Sequence, residues 1–273
     1  MLEGAHAKLV FKPSAMSEAV PAPEVVPIPD PIAEAWAKLP VVELNPSLLK
    51  RNLVITAERN DPAHAAFDVL RTKLVQALAD RGWRRVGVTS PTKGCGKSFV
   101  SANLAITLSR YEKFRTVLLD LDLRLSGLSR MLGVRNSGTM ADLLRGLVPV
   151  DQFLHRVDPN HLRIGASLAL GLNDRPEPFA AELFQQASTR EVLTQLDALL
   201  QPRMVLMDLP PALAQDDVLA LKPHLDCVLM VAGGGITTAR ELREASRRLG
   251  EELPILGVVL NKAEGEVLKD YTY

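Results

Sequence analysis

The chain is short of cysteine, of net charge and of long apolar runs. It has only 2 cysteines among 273 residues, Cys95 and Cys227, which favours free thiols in a reducing compartment over a disulfide framework. Its 32 Lys and Arg are balanced by 32 Asp and Glu, so no global basic field argues for a nucleic-acid partner. No apolar run approaches the ~20 residues of a membrane-spanning helix, and the N-terminus lacks a signal-peptide core. These absences predict a soluble cytoplasmic protein whose membrane association would come through a partner.

Prolines recur through the first part of the chain, at Pro13, Pro21, Pro23, Pro27, Pro29, Pro31 and Pro40. Because proline interrupts helices and central strands, residues 1–50 are predicted to be a Pro/Ala-rich flexible tail and residues 51–273 the folded domain. The stretch 30–39 is a local exception, since Ile32, Trp36 and Leu39 would share one helix face. Two interpretations stay open: a helix that docks a partner, and a short helix packed on its own domain.

A glycine-rich turn between an apolar strand and a helix gives the clearest chemical signal. Gly94 and Gly96 let the backbone wrap closely around a phosphate, and the N–H groups at the start of the helix supply donors and a favourable dipole. Lys97 is placed to reach the β- and γ-phosphates, and the Ser98 hydroxyl to hold Mg²⁺. The turn therefore predicts a P-loop.

The surroundings of the turn are those that the motif demands, although one position departs from it. A strand over 85–89 precedes the turn, and Val100, Leu104 and Leu108 place one buried face on the helix that follows. Pro91 stands where the general motif has its first glycine. A surface turn that binds nothing is the less favoured alternative.

Strands and helices alternate along the rest of the chain. The predicted strands are 85–89, 116–122, 162–166, 204–208, 227–232 and 255–261, and the predicted helices 61–82, 97–110, 140–145, 178–200 and 238–249. Several of these strands are apolar on both faces, which is typical of parallel strands covered on each side. The pattern predicts an α/β fold of the P-loop NTPase type: a doubly wound, three-layer domain with a mostly parallel sheet and helices on both faces.

Two strands end in carboxylates. Asp120 and Asp122 close one of them and Asp208 closes another, and because parallel strands align their ends, all three should converge beside the P-loop. Phosphoryl transfer needs carboxylates that fix Mg²⁺ and one that orients or deprotonates the attacking hydroxyl. For Arg124 three roles stay open: a phosphate clamp, a contact across a subunit interface, and a solvated side chain.

These motifs together resemble the bacterial tyrosine kinases of polysaccharide synthesis, which are cytoplasmic P-loop autokinases. The resemblance rests on the P-loop at 90–98, on Asp120-x-Asp122-x-Arg124, and on Asp208-Leu-Pro-Pro211. Shorter matching pieces lie at 67–72, 234–238 and 255–261. The similarity runs from about Asn52 to the C-terminus.

The resemblance implies an ATP- and Mg²⁺-dependent protein-tyrosine autokinase that regulates exopolysaccharide or capsule polymerisation and export. It assigns catalysis to Lys97, Asp120 and Asp122, with Asp120 as the candidate base. It assigns nucleotide binding to Gly94, Cys95, Gly96, Lys97, Ser98, Phe99 and, near the adenine, Asn261. It assigns the metal to Ser98, Asp122 and Asp208, and the phosphoacceptors to Tyr271 and Tyr273 in a short C-terminal tail.

The resemblance also implies partners. A membrane-embedded polysaccharide co-polymerase or chain-length adaptor would activate the kinase and hold it at the inner membrane, and copies of the chain would assemble as a ring. The family's Glu-x-x-Arg-x-x-Arg contact motif reads Ala65, Asp68 and Arg71 here, so one charge is lost and one is reversed.

Two other functions remain in competition. A MinD/ParA-like positioning ATPase would share the fold, but the signature lysine of that group is replaced by Thr92. A catalytically weak nucleotide-binding regulator of the export complex would fit the lost charges and the two-tyrosine tail. Tyr111, at the end of the P-loop helix, is interpreted as structural.

Overall fold

A computed structural model describes residues 30–54, 62–111, 113–135, 137–158 and 164–263. The helices are α1 (Pro31–Lys38), α2 (Pro46–Arg51), α3 (Pro62–Ala79), α4 (Lys97–Ser109), α5 (Leu128–Leu132), α6 (Met140–Leu144), α7 (Val150–Phe153), α8 (Ala180–Phe184), α9 (Ala187–Leu200), α10 (Asp217–Leu221) and α11 (Ala239–Leu249), with a 3₁₀ turn at Lys222–His224. The strands are β1 (Val41–Val42), β2 (Arg85–Thr89), β3 (Thr116–Asp120), β4 (His155–Val157), β5 (Leu168–Gly171), β6 (Met204–Asp208), β7 (Cys227–Gly233) and β8 (Ile255–Asn261).

The described strands form one sheet in the order β1-β4-β5-β3-β6-β2-β7-β8. Neighbouring strands are parallel except β4 and β5, which are antiparallel. Successive residues of β3 point to opposite faces, so that Val117 and Leu119 join one apolar core and Leu118 joins the other. Two cores on two faces of one sheet confirm the predicted three-layer α/β architecture.

The folded domain begins earlier than the proline content predicts. The chain divides into compact units at Asp30/Pro31, so the boundary predicted near residue 50 falls about twenty residues too late. The reason is positional: Pro31 and Pro46 occupy the first turns of α1 and α2, where a missing N–H leaves no hydrogen bond unmade. Residues 1–29, the rest of the predicted tail, lie outside the described residues.

Helix α1 packs on its own domain. The Trp36 side chain is buried, and its Nε1–H donates to the carbonyl of Leu200 at the end of α9 at 2.7 Å. Ile32 and Leu39 pack in the same core. Of the two interpretations of this stretch, the structure favours the helix that covers its own sheet.

The strand predicted at 162–166 is wrong within the described residues. Residues 164–166 are not in a strand, and the strand lies after them, at β5. The physical reason is Gly165: a Cβ there would lie 2.3 Å from the carbonyl oxygen of Ser109, and the Gly165 N–H donates to the Ser109 hydroxyl at 3.2 Å. The backbone turns against the end of α4 before β5 begins.

The other predicted elements lie near their predicted bounds, except that the helix predicted at 178–200 is divided into α8 and α9. The sequence does not predict α2, α5, α7, α10, β1 and β4. Helix α3 ends just before Gly82, which has a positive φ of 67°, and α4 and α11 lie within one or two residues of their predicted bounds.

Cys95 and Cys227 are buried free thiols, as expected. In the described part of the chain no helix combines the length and the apolar character that a bilayer span requires.

Candidate nucleotide-binding site

The P-loop connects the end of β2 to the first residue of α4. Gly94 and Gly96 have φ values of 82° and 94°, a region that other residues rarely adopt. At Gly96 a Cβ would also lie 2.1 Å from the Asn261 amide nitrogen. Both glycines are therefore required for this turn, as the motif predicts.

The ends of β7 and β8 hold the turn from the other side. The Asn261 Nδ2 donates to the carbonyl of Cys95 at 2.9 Å, and the Thr237 hydroxyl lies 3.3 Å from the Cys95 sulfur. Asn261, which the resemblance places near an adenine, thus contacts the phosphate turn. Thr237 was not singled out from the sequence, although it lies in the 234–238 piece.

Pro91 fits the first half of the turn. Its carbonyl accepts the Leu213 N–H at 3.1 Å, and the Ser90 carbonyl accepts the Ala212 N–H at 2.8 Å. These two contacts connect the turn to the residues that directly follow the Asp208-Leu-Pro-Pro211 segment. They use carbonyl oxygens alone, so a residue without an N–H at this position loses none of them.

The structure brings the three predicted carboxylates and the two P-loop side chains together. Asp120 and Asp208 are register partners on neighbouring strands. The Ser98 hydroxyl donates to Asp208 Oδ2 at 2.6 Å, and Lys97 Nζ lies 3.3 Å from Asp122 Oδ2. The convergence expected from parallel strand ends is therefore present.

One contact at this cluster was missed from the sequence. The Ser101 hydroxyl donates to the second oxygen of Asp208 at 3.0 Å. Ser101 lies three residues after Ser98 on α4, so the two hydroxyls face the same carboxylate. The sequence feature that could have predicted this contact is a serine three residues after Ser98, on a helix face that is otherwise apolar.

Burial disfavours the ionised forms of Asp120 and Asp208. Burial, together with the charges of Asp208 and Asp122, raises the pKa of Asp120 well above its ordinary value. Burial also raises the pKa of Asp208 to about 6, against the opposing effect of Lys97 and of the Ser98 hydrogen bond. Two neighbouring buried carboxyl groups favour either a bound proton or a cation beside them.

The donor set fits a Mg²⁺ ion that is held jointly with a nucleotide. Asp120 Oδ1 is buried and has no hydrogen-bond partner among the described atoms. Within the described residues, no three acidic, histidine or cysteine side chains form a complete metal cage. Mg²⁺ in phosphoryl-transfer sites is typically bound through one or two carboxylates together with substrate phosphates, so a complete protein cage is not needed.

Arg124 forms an ion pair within the chain that the sequence did not predict. Its guanidinium donates to both carboxylate oxygens of Asp217, at 2.7 and 2.9 Å, and to the carbonyl of Pro178 at 3.0 Å. This bidentate pair connects the segment after β3 to α10. Asp217, buried beside it, was not identified from the sequence.

Two aromatic side chains singled out from the sequence, Phe99 and Tyr111, pack against residues of α3. The Phe99 ring packs edge-on against Phe67 of α3, with centroids 5.8 Å apart, so the ring stabilises the α3–α4 contact. Tyr111 lies after the end of α4 beneath the Arg71 guanidinium, which is 4.6 Å from the ring centroid. Tyr271 and Tyr273 lie outside the described residues.

A parallel sheet with this turn at one strand end and carboxylates at the neighbouring ends defines a nucleotide-binding domain of the P-loop class. Residues 86–272 match the family model described as "CobQ/CobB/MinD/ParA nucleotide binding domain". The chain belongs to that family.

The curated relatives are named tyrosine-protein kinases. The chain is 34% identical over 215 residues to the putative tyrosine-protein kinase EpsB of Ralstonia nicotianae, which covers 78% of this chain and 27% of EpsB. It is 25% identical over 228 residues to the tyrosine-protein kinase YwqD of Bacillus subtilis, which covers 83% of this chain and 92% of YwqD. The chain therefore spans only about a quarter of EpsB but most of YwqD.

A solved structure supports the same fold. The kinase domain of the Escherichia coli tyrosine kinase ETK superposes with a TM-score of 0.70 at 22% identity, over 91% of this chain and 99% of that domain. This chain therefore has the same fold as that domain.

Proposed function

We propose that this chain is an ATP- and Mg²⁺-dependent protein-tyrosine autokinase that regulates exopolysaccharide or capsule polymerisation and export. The observation that supports it most strongly is the convergence of Lys97, Ser98 and three carboxylates at one edge of the sheet. The kinase names of its relatives support the same reaction.

In this proposal the P-loop binds the triphosphate. The backbone of residues 94–99 surrounds the phosphates, and Asn261 keeps the turn in shape through its contact with Cys95. Lys97 exchanges its ion pair with Asp122 for the β- and γ-phosphates. Ser98, Asp122 and Asp208 would hold Mg²⁺, which would neutralise charge on the phosphates.

Asp120 acts as the base. It takes the proton from a tyrosine hydroxyl, the phenolic oxygen bonds to the γ-phosphorus, and the bond to the ADP oxygen breaks. Burial and the neighbouring carboxylates raise the pKa of Asp120 above its ordinary value, which makes its carboxylate a stronger base. The acceptors are Tyr271 and Tyr273 at the end of a second copy of the chain.

The proposed partner is a membrane-embedded polysaccharide co-polymerase or chain-length adaptor, which holds the cytoplasmic kinase at the inner membrane. Self-assembly, as a ring, would bring the tail of one copy to the site of the next. Nucleic acid is not part of this proposal, in keeping with the balanced charge of the chain.

The test measures nucleotide binding, ATP hydrolysis and phosphotyrosine formation in parallel on the full chain with MgATP. A kinase gives all three, and Lys97→Met abolishes phosphotyrosine. A positioning ATPase gives binding and hydrolysis without phosphotyrosine, and a nucleotide-binding regulator gives binding alone. Either of the last two results, with an adaptor's cytoplasmic segment added, contradicts the proposal.

Tyr111 offers a matched control. Tyr111→Phe removes one phenolic hydroxyl while keeping the ring beneath Arg71, so labelling should persist. The double variant Tyr271→Phe/Tyr273→Phe should lose it. If labelling instead disappears with Tyr111→Phe, the acceptor assignment is wrong.

A further inference from the structure

A row of basic residues lies at the amino ends of three neighbouring strands, at the edge of the sheet opposite the P-loop. Arg115, Arg203 and Arg84 directly precede β3, β6 and β2, which are adjacent in the sheet. The Arg203 N–H donates to the Arg115 carbonyl, and the Val205 N–H to the Arg84 carbonyl, both at 2.8 Å. The three backbones are therefore side by side.

More basic groups extend this row. Arg81 lies over the Trp83 ring, 5.1 Å from its centroid. A hollow of about 630 Å³ opens beside Arg203, lined also by Arg110, Tyr111, Lys113 and Phe114. Arg81, Arg84, Lys113 and Arg203 are exposed. We call these four residues, with Trp83 and Tyr111, the basic edge.

Few anions oppose the basic edge. The Asp226 carboxylate accepts the backbone N–H groups of Arg84 and Arg85, at 2.7 and 2.8 Å, and Asp197 pairs with Arg85. Within the described part of the chain, Arg84, Lys113 and Arg203 form no ion pair. Beside these two carboxylates, the edge has four exposed basic side chains.

Two aromatic side chains distinguish this edge from a purely electrostatic patch. Trp83 is half-buried, and Tyr111 is 43% exposed, whereas Trp36 is buried. Tryptophan and tyrosine favour the headgroup region of a bilayer, because their rings are apolar and their N–H and O–H groups are polar. Clustered Arg and Lys bind anionic headgroups.

We propose that the basic edge binds the surface of an anionic phospholipid membrane directly. Basic side chains contact headgroup phosphates, with the hollow beside Arg203 as the deepest site. Trp83 and Tyr111 lie at headgroup level. The P-loop, at the opposite edge of the sheet, then faces away from the bilayer and stays open to nucleotide and to a partner chain.

The experiment is co-sedimentation of the full chain, without nucleotide, with vesicles of phosphatidylcholine alone or with added phosphatidylglycerol. We expect binding only to the anionic vesicles, and loss of binding at high salt because exposed charges are screened. Each basic residue near such a surface strengthens binding by about fivefold. Arg84→Glu/Arg203→Glu should therefore weaken binding by at least about tenfold.

The matched control is Arg240→Glu/Arg243→Glu, which makes the same charge change at exposed positions on α11. It should bind as the wild type does, and thermal unfolding should show that both double variants are folded. Equal loss in both pairs, equal binding to neutral vesicles, or no binding by the wild type overturns the proposal. If soluble poly-glutamate binds in an Arg84- and Arg203-dependent manner while vesicles do not, the partner is an acidic polypeptide instead. Because no ATP is present, this result is independent of whether the chain is a kinase.

Discussion

At the scale of single residues, the most informative group is Asp208. Its two oxygens accept hydrogen bonds from Ser98 and Ser101, yet burial raises its pKa to about 6. A site that binds a cation is expected to have this property, because the negative charge that attracts the ion destabilises the ion-free fold. The buried charge of Asp208 thus lowers the stability of the ion-free fold at the position where cation binding requires that charge.

The pH dependence of stability follows from the direction of that shift. Between an unfolded pKa near 3.8 and a folded pKa of about 6, the folded state binds more protons than the unfolded state, so this group's stabilising effect grows as pH falls. Asp208→Asn should remove the effect and flatten the stability curve over this range. Urea unfolding of both proteins from about pH 4 to pH 7 measures it, without nucleotide and without Mg²⁺.

The control for that comparison is Asp226→Asn, which removes a carboxylate at the amino ends of the strands, away from the cluster. It should leave the slope between pH 4 and pH 6 as in the wild type. An Asp208→Asn profile parallel to the wild-type profile would show that Asp208 titrates normally.

At the scale of elements, the sequence predicts best the helices and strands that are long and have a regular apolar period. Strands β2, β6 and β8 and helix α4 were predicted closely because apolar periodicity and turn residues agreed there. The two-residue β1 and three-residue β4 are too short to show any period. Whether β4 runs parallel or antiparallel to β5 is decided by tertiary packing, which no local pattern encodes.

Some contacts of the candidate site could be predicted from the sequence, and others could not. The strand ends of a parallel sheet predict that Asp120, Asp122 and Asp208 meet, since the fold alone aligns them. The contacts of Asn261 with Cys95 and of Arg124 with Asp217 join residues far apart in sequence. Such pairs depend on loop paths and could not be derived from motif spacing.

Helix α1 provides a prediction at this scale. Trp36 fills the core under the sheet edge and bonds to Leu200, so Trp36→Ala should destabilise the domain by about 3–5 kcal/mol. Trp36→Phe keeps most of the ring but leaves the carbonyl unbonded, and should cost less. Lys38→Ala, at an exposed position of the same helix, should be nearly neutral in urea unfolding. Wild-type stability of Trp36→Ala would mean that α1 does not belong to the fold.

At the scale of the whole molecule, the proposed self-assembly concerns the charged residues of α3. Within its own helix, Asp68 forms an ion pair with Arg71 at 2.9 Å and contacts His64 Nδ1 at 3.1 Å. The Arg71 guanidinium also lies over Tyr111. Arg71, which the resemblance assigns to a subunit contact, is therefore engaged within one chain.

Restoring the family's charge pattern on α3 should favour contacts between copies of the chain over contacts within one chain. In Ala65→Glu/Asp68→Arg, Arg71 loses its carboxylate partner and the new pair of charges can meet a second copy. We expect a larger fraction of oligomer for this variant than for the wild type, measured by light scattering with MgATP. Ala65→Asp, which adds a charge without releasing Arg71, is the control. An unchanged mass would assign assembly to another surface.

Tandem mass spectrometry of the full chain after incubation with MgATP tests the proposed autokinase reaction. We predict phosphate on Tyr271 or Tyr273 of the wild type and on neither residue of Lys97→Met. Wild-type protein that consumes ATP while every tyrosine stays unmodified would contradict it.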